Sequence, residues 1–174
     1  MKMLTKATLI VMVLAATACT RPDRFGDGAG AGAGAGTGTQ VDPGALGGAN
    51  DPSSPQYFAQ TIGDRVLFEV DSSTLTAAGR ATLDGQAQWL TTNSDYLAIV
   101  EGHADEQGTR EYNLALGARR ANAVREYLIS RGIPGSRLRT ISYGKERPIE
   151  ICSEETCYAK NRRAVTIISA GALS

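Results

Sequence analysis

Between Gly28 and Gly36, glycine and alanine alternate without one branched or large side chain. Such a run has nothing to bury, and glycine loses more backbone freedom on ordering than any other residue. It therefore lies outside any core, and it divides the chain. Ten of the 20 glycines fall between Gly26 and Gly48, and Pro22, Pro43, Pro52 and Pro55 punctuate the same region. A single nine-residue alternation is too short to favour a silk-like sheet. The 37 residues from Thr20 to Gln56 read as a flexible tether. A coil of that length averages roughly 35 Å end to end and stretches to about 120 Å. Whatever folds is expected within residues 57–174.

Upstream of the tether, Lys2 and Lys6 precede the uncharged run Leu9-Ile10-Val11-Met12-Val13-Leu14, and small residues follow at Ala16-Thr17-Ala18. This is the layout of a secretory signal, residues 1–18, too short to span a bilayer comfortably. It runs directly into Cys19. The arrangement resembles a bacterial lipobox, with Ala16 where leucine is usual and Leu14 two residues further back. It implies acylation of Cys19, the alternative being plain cleavage after Ala18. Residues 19–56 then form a lipidated N-terminus and tether. Several acyl chains anchor durably, at about 0.8 kcal/mol per buried CH2. Thr20, where aspartate commonly signals inner-membrane retention, points to the outer membrane.

Charge narrows the function. The whole chain carries 18 basic and 18 acidic residues, and loss of Lys2 and Lys6 leaves 16 against 18. A nucleic-acid binder would carry a concentrated basic excess. The apolar fraction of 42% supports a core.

Within the domain, Val66, Phe68 and Val70 alternate with polar neighbours, predicting a strand over 61–70. Thr74 or Thr76 caps a helix reaching Leu90, with Leu83, Ala87 and Leu90 at helical spacing and Trp89 beside them. Asn93-Ser94-Asp95 is a turn, and 96–101 a second strand. A polar loop, 102–109, leads to a longer helix from Arg110 or Glu111 to about Ser130, with Gly117, Ala121, Val124 and Leu128 on one face. Gly132 and Pro134-Gly135 mark its end. Strands follow over 138–143 and 164–169, the latter after a helical turn near Ala159. The order β-α-β-α-β-β predicts an α+β two-layer sandwich, with helices on one face of a mixed four-stranded sheet. Cys152 and Cys157 can close a small disulfide loop in an exported chain, worth about 2 kcal/mol. Metal binding is the rival, though two cysteines and one distant histidine make a poor ligand set.

The densest polar stretch is Glu101-Gly102-His103-Ala104-Asp105-Glu106-Gln107-Gly108-Thr109, between a strand and a helix. Loops of that kind offer backbone N–H groups and side chains to ligands. His103 with Asp105 could serve a hydrolase as acid and base. No nucleophile elbow or second histidine supports it, so no catalytic residue, metal or cofactor is assigned. The plain reading of His103 is a loop histidine bonded to backbone.

The blocks Glu101-Gly102-His103-Ala104-Asp105-Glu106, Gly108-Thr109, Glu111-Tyr112-Asn113-Leu114 and Leu116-Gly117-Ala118-Arg119-Arg120-Ala121-Asn122-Ala123-Val124 closely resemble the OmpA-like peptidoglycan-binding domain. Ser142-Tyr143-Gly144-Lys145-Glu146-Arg147-Pro148 and Tyr158-Ala159-Lys160-Asn161-Arg162-Arg163-Ala164-Val165 resemble the branch of that family carried on outer-membrane lipoproteins. The resemblance spans about Val66 to Ile168 and implies a non-enzymatic domain, facing the periplasm, that holds the diaminopimelate of the wall peptide. Asp105 would accept from its ammonium and Arg120 would clamp its carboxylate, bidentately where geometry allows. Asn113, Leu116 and Arg163 match positions that line or support the pocket. Phe68 and Asp71 match the segment closing its other side, where Phe68-Glu69-Val70-Asp71-Ser72-Ser73 departs from the usual aromatic-rich version with Lys after Asp. The resemblance also implies work with the Tol proteins during division, with TolB as a partner competing for an overlapping face. A motor-stator relative would need a spanning helix after the leader, and the sequence offers none there.

Overall fold

The computed structural model describes residues 48–151 and 153–171, all within one compact unit, Gln40–Ser174. The leader, Cys19, the glycine-alanine run and Cys152 lie outside the described residues.

The elements are a helical turn α1 (Pro55–Tyr57) continuing into a π-helical turn (Phe58–Gly63), β1 (Arg65–Leu67), α2 (Ala77–Thr92), β2 (Tyr96–His103), α3 (Arg110–Ser130), β3 (Leu138–Gly144), α4 (Glu155–Asn161) and β4 (Arg163–Ala170). The sheet order is β1-β4-β2-β3. Pairing is antiparallel for β1 with β4 and for β4 with β2, and parallel for β2 with β3. Four helices packed against this mixed open sheet make the expected α+β architecture, with α1 and α4 added to the predicted order.

Both long helices start on a threonine. The Thr76 hydroxyl accepts from the Gly79 N–H at 3.0 Å, and the Thr109 hydroxyl from the Tyr112 N–H at 3.2 Å, each satisfying a donor the helix cannot. Helix α2 buries Leu83, Ala87, Trp89 and Leu90 against Val66, Phe68 and Phe58. Helix α3 buries the stripe Asn113, Leu116, Gly117, Arg120, Ala121, Val124 and Leu128. Ala98 and Val100 of β2, Leu138 of β3 and Ala164 of β4 complete the core.

One contact fixes the height of α3 on the sheet. A Cβ on Gly102 would lie 1.8 Å from the Gly117 carbonyl oxygen, and a Cβ on Gly117 would lie 2.4 Å from Ser142 Oγ. Helix backbone therefore rests directly on strand backbone, which only glycine at both positions permits. This places the first turns of α3 beside the end of β2 and its loop.

Three expectations need correction. The first strand is not 61–70 but Arg65–Leu67. Upstream, Phe58 turns inward and meets Trp89 edge-on at 4.9 Å, drawing the chain into a helical turn that ends at Gly63 (φ +95°). Downstream, Val66 and Phe68 point inward as the alternation requires, but the chain leaves the sheet and Val70 is 58% exposed. The domain also begins before Tyr57: Ser54 is 1% exposed, and the Trp89 indole N–H donates to the Pro52 carbonyl at 2.7 Å. Finally, α4 is a full helix from Glu155, where only a turn near Ala159 was expected.

Candidate functional site

A cavity of about 190 Å³ opens where three segments meet. The stretch after β1 contributes Val70 and Asp71, the loop after β2 contributes Asp105, Gln107 and Gly108, and α3 contributes Tyr112, Asn113 and Leu116. Asp71, Asp105, Asn113 and Leu116 thus line one cavity.

The loop is braced from below. Asn113 is buried, and its side-chain N–H donates to the Gln107 carbonyl at 2.6 Å. Gly108 takes φ +89°, which lets the chain turn back toward the Thr109 cap. Asp105 is only 8% exposed. Its Oδ1 accepts from the Gln107 N–H and its Oδ2 from Arg162 Nη1, both at 3.2 Å. The Arg162 guanidinium is itself buried, and it also donates to Glu155 Oε1 and, through Nε, to the Phe68 carbonyl at 3.3 Å. Burial works against its charge, but hydrogen bonds to Glu155 and Asp105 hold its pKa above the ordinary value.

Arg120 does not line the cavity as expected of a direct clamp. It is 0% exposed. Its Nε donates to the Ser72 carbonyl at 2.8 Å, Nη1 to the His103 carbonyl at 2.8 Å and Nη2 to the Glu69 carbonyl at 3.1 Å. The Phe68 ring lies 5.2 Å from the guanidinium carbon, so Phe68 supports Arg120 rather than facing the cavity. Burial lowers the Arg120 pKa to about 10, opposed by the Asp105 charge, and the group stays cationic at neutral pH. The observed task of Arg120 is to pin the segment from Glu69 to Ser72 that forms one side of the cavity.

Arg163 is also elsewhere. Its guanidinium donates to the Arg147 carbonyl at 3.1 Å and the Asn161 carbonyl at 3.4 Å, and burial lowers its pKa. His103 is buried beneath Tyr143, with ring centroids 5.6 Å apart, and its ring nitrogens have no hydrogen-bond partner among the described residues. That replaces the backbone-bonded loop histidine. Burial, then the charges of Arg163 and Arg147, lowers its pKa to about 4, so it is neutral at neutral pH. It does not line the cavity with Asp105, and the acid–base pair of a hydrolase is not assembled there. Cys157 is buried and disulfide-bonded.

Two residues of the site escaped the sequence reading. Arg162, not its neighbour, meets Asp105, and this depends on how the junction of α4 and β4 joins the sheet. Tyr112 lies one helical turn before Leu116, on the same face, and its hydroxyl donates to Asp71 Oδ1.

The OmpA family model matches residues 67–162. The peptidoglycan-associated lipoprotein of Rhizobium meliloti is 58% identical over 121 residues, covering 70% of this chain and 69% of that protein. The peptidoglycan-associated lipoprotein of Pseudomonas aeruginosa is 40% identical over 163 residues, covering 90% of this chain and 92% of its own. Among solved structures, the peptidoglycan-associated lipoprotein of Burkholderia pseudomallei superposes with a TM-score of 0.62 at 36% identity, covering 70% of this chain and 98% of that one. None of these names is that of an enzyme.

Proposed function

The chain belongs to the OmpA family, and from that premise we propose that it is an outer-membrane lipoprotein binding peptidoglycan non-covalently through diaminopimelate. Lipid on Cys19 holds the membrane, the tether spans the gap, and the domain grips the wall. In this reading it works within the Tol–Pal system, supports envelope integrity and constriction at division, and meets TolB on a face that overlaps the wall-binding one.

The observation that carries the reading is the cavity itself. It is small, has Leu116 and Val70 for methylene groups, and presents the carboxylates of Asp105 and Asp71. The side chain of diaminopimelate ends in a carbon bearing both an ammonium and a carboxylate on a short methylene chain; the two acids suit its ammonium, and Leu116 and Val70 suit its methylenes. Arg120 shapes the wall from behind in this reading, and the positive charges of Arg120 and Arg162 offset the two acids.

Co-sedimentation of the purified chain with cell-wall sacculi tests it. The wild type is expected in the pellet with no muropeptide released. Asp105→Ala should weaken binding by about 2–4 kcal/mol, as for truncation of a buried charged partner. Circular dichroism would check the fold, and Asp105→Asn, which keeps the shape, should also bind poorly. Wild-type chain left in the supernatant would refute the reading.

A further inference from the structure

We propose that Tyr112 is a positioning residue that aims Asp71 at the ligand, and that this pair distinguishes a free ammonium from its acylated form. The inference rests on the wall-binding reading above and concerns the same cavity.

Asp71 is the one non-glycine among the described residues with positive φ, at +51°. An aspartate tolerates that region better than most residues, but it is held there by its surroundings. Arg120 grips the Glu69 and Ser72 carbonyls on either side of it. The side chain is then caught by the Tyr112 hydroxyl. Tyr112 is fixed in turn: its backbone N–H caps onto Thr109 at 3.2 Å, and the Arg119 guanidinium lies 5.8 Å from its ring centroid. A half-exposed tyrosine on a capped helix thus reaches across to an acid on a strained loop, and both line the cavity.

The two acids of the cavity differ in what holds them. Asp105 is ion-paired with buried Arg162 at 3.2 Å, so much of its charge is met from within. Asp71 accepts from a neutral hydroxyl, and no guanidinium or ammonium pairs with it among the described residues. Its remaining lone pairs are free to accept from an incoming cation. Asp71 therefore adds to the field of Asp105 a carboxylate with no ion pair of its own, and its aim comes from Tyr112. An acylated amine has lost both the charge and two of its donors, and it gains no comparable interaction there.

The test is calorimetric titration of the full chain with a diaminopimelate-containing stem peptide and with the same stem N-acetylated at the side-chain amine. Wild type is expected to prefer the free amine by about tenfold or more, the scale of one hydrogen bond to a charged group. Tyr112→Phe keeps the ring and removes only the hydroxyl. It should lower affinity for the free-amine stem several-fold more than affinity for the acetylated one. Asp71→Asn suits the same backbone region and should remove most of the preference. A merely structural role for Tyr112 would lower affinity for both stems equally, and that result overturns the proposal. An unchanged preference in Tyr112→Phe overturns it as well. No wild-type binding to either stem would refute the wall-binding reading itself, and the present one with it.

Discussion

Helices α2 and α3 lie on one face of one sheet, yet they are buried by different means. Helix α2 is held by Leu83, Ala87, Trp89 and Leu90, with the lone polar Gln86 satisfied by the Gly63 carbonyl and the Thr166 hydroxyl. The second half of α3 is similar, with Ala121, Val124 and Leu128. Its first half buries Asn113 and Arg120, which bond to loops rather than fill space. Apolar burial is non-directional and secures a helix wherever volume is filled. Buried hydrogen bonds are directional, and here they fix the 69–72 and 104–109 loops around a cavity. The contrast locates the site without reference to any ligand.

The largest test of that contrast is Arg120→Ala. It strands three carbonyls and opens a void, and should cost about 4 kcal/mol or more, read by denaturant unfolding. Wall binding by the remaining folded protein should fall with it, since the loop loses its brace. Leu83→Ala comes next, at about 3 kcal/mol. In this case, binding per folded molecule should stay at the wild-type level. If Leu83→Ala impaired binding as much as Arg120→Ala, the division of labour between the helices would fail.

A third test, comparable in size to Leu83→Ala but spread over a pH range, concerns His103. Its pKa is lowered to about 4 in the folded chain, against about 6.5 when unfolded. Between those values the unfolded chain binds more protons, so stability rises with pH. This contribution is complete above about pH 6.5 and is lost as pH falls through about 4. Denaturation midpoints measured from pH 4 to 7 should slope upward for the wild type, and less so for His103→Gln. Equal slopes would place the titrating group elsewhere.

Much of this was legible in the residues. The spacing of Leu83, Ala87 and Leu90 and the threonine caps locate α2, and the phase of α3 puts Arg120 between Gly117 and Val124 on the buried side. The structure follows that phase and not the open clamp that the motif suggested. Asp105, Asn113 and Leu116 were named from the family resemblance, and the structure lines one cavity with all three. The end of β1 was not legible, because Val66, Phe68 and Val70 alternate faultlessly while a distant guanidinium pulls the following segment off the sheet. The exchange of Arg163 for Arg162 has the same origin: which neighbour faces Asp105 depends on the register of β4 with β2 and β1.

The bond from Trp89 to Pro52 has a mechanical consequence. If Cys19 is anchored as proposed, tension on the tether enters the domain through Pro52. That load falls first on the Trp89 indole N–H and on Ser54, whose hydroxyl reaches the Gly48 carbonyl at 2.9 Å. Both belong to the α2 side of the molecule, and neither touches the Asp105 loop. Pulling would therefore peel the α1 segment from Trp89 before it strained the cavity, so the grip on the wall could outlast the first yield of its own attachment.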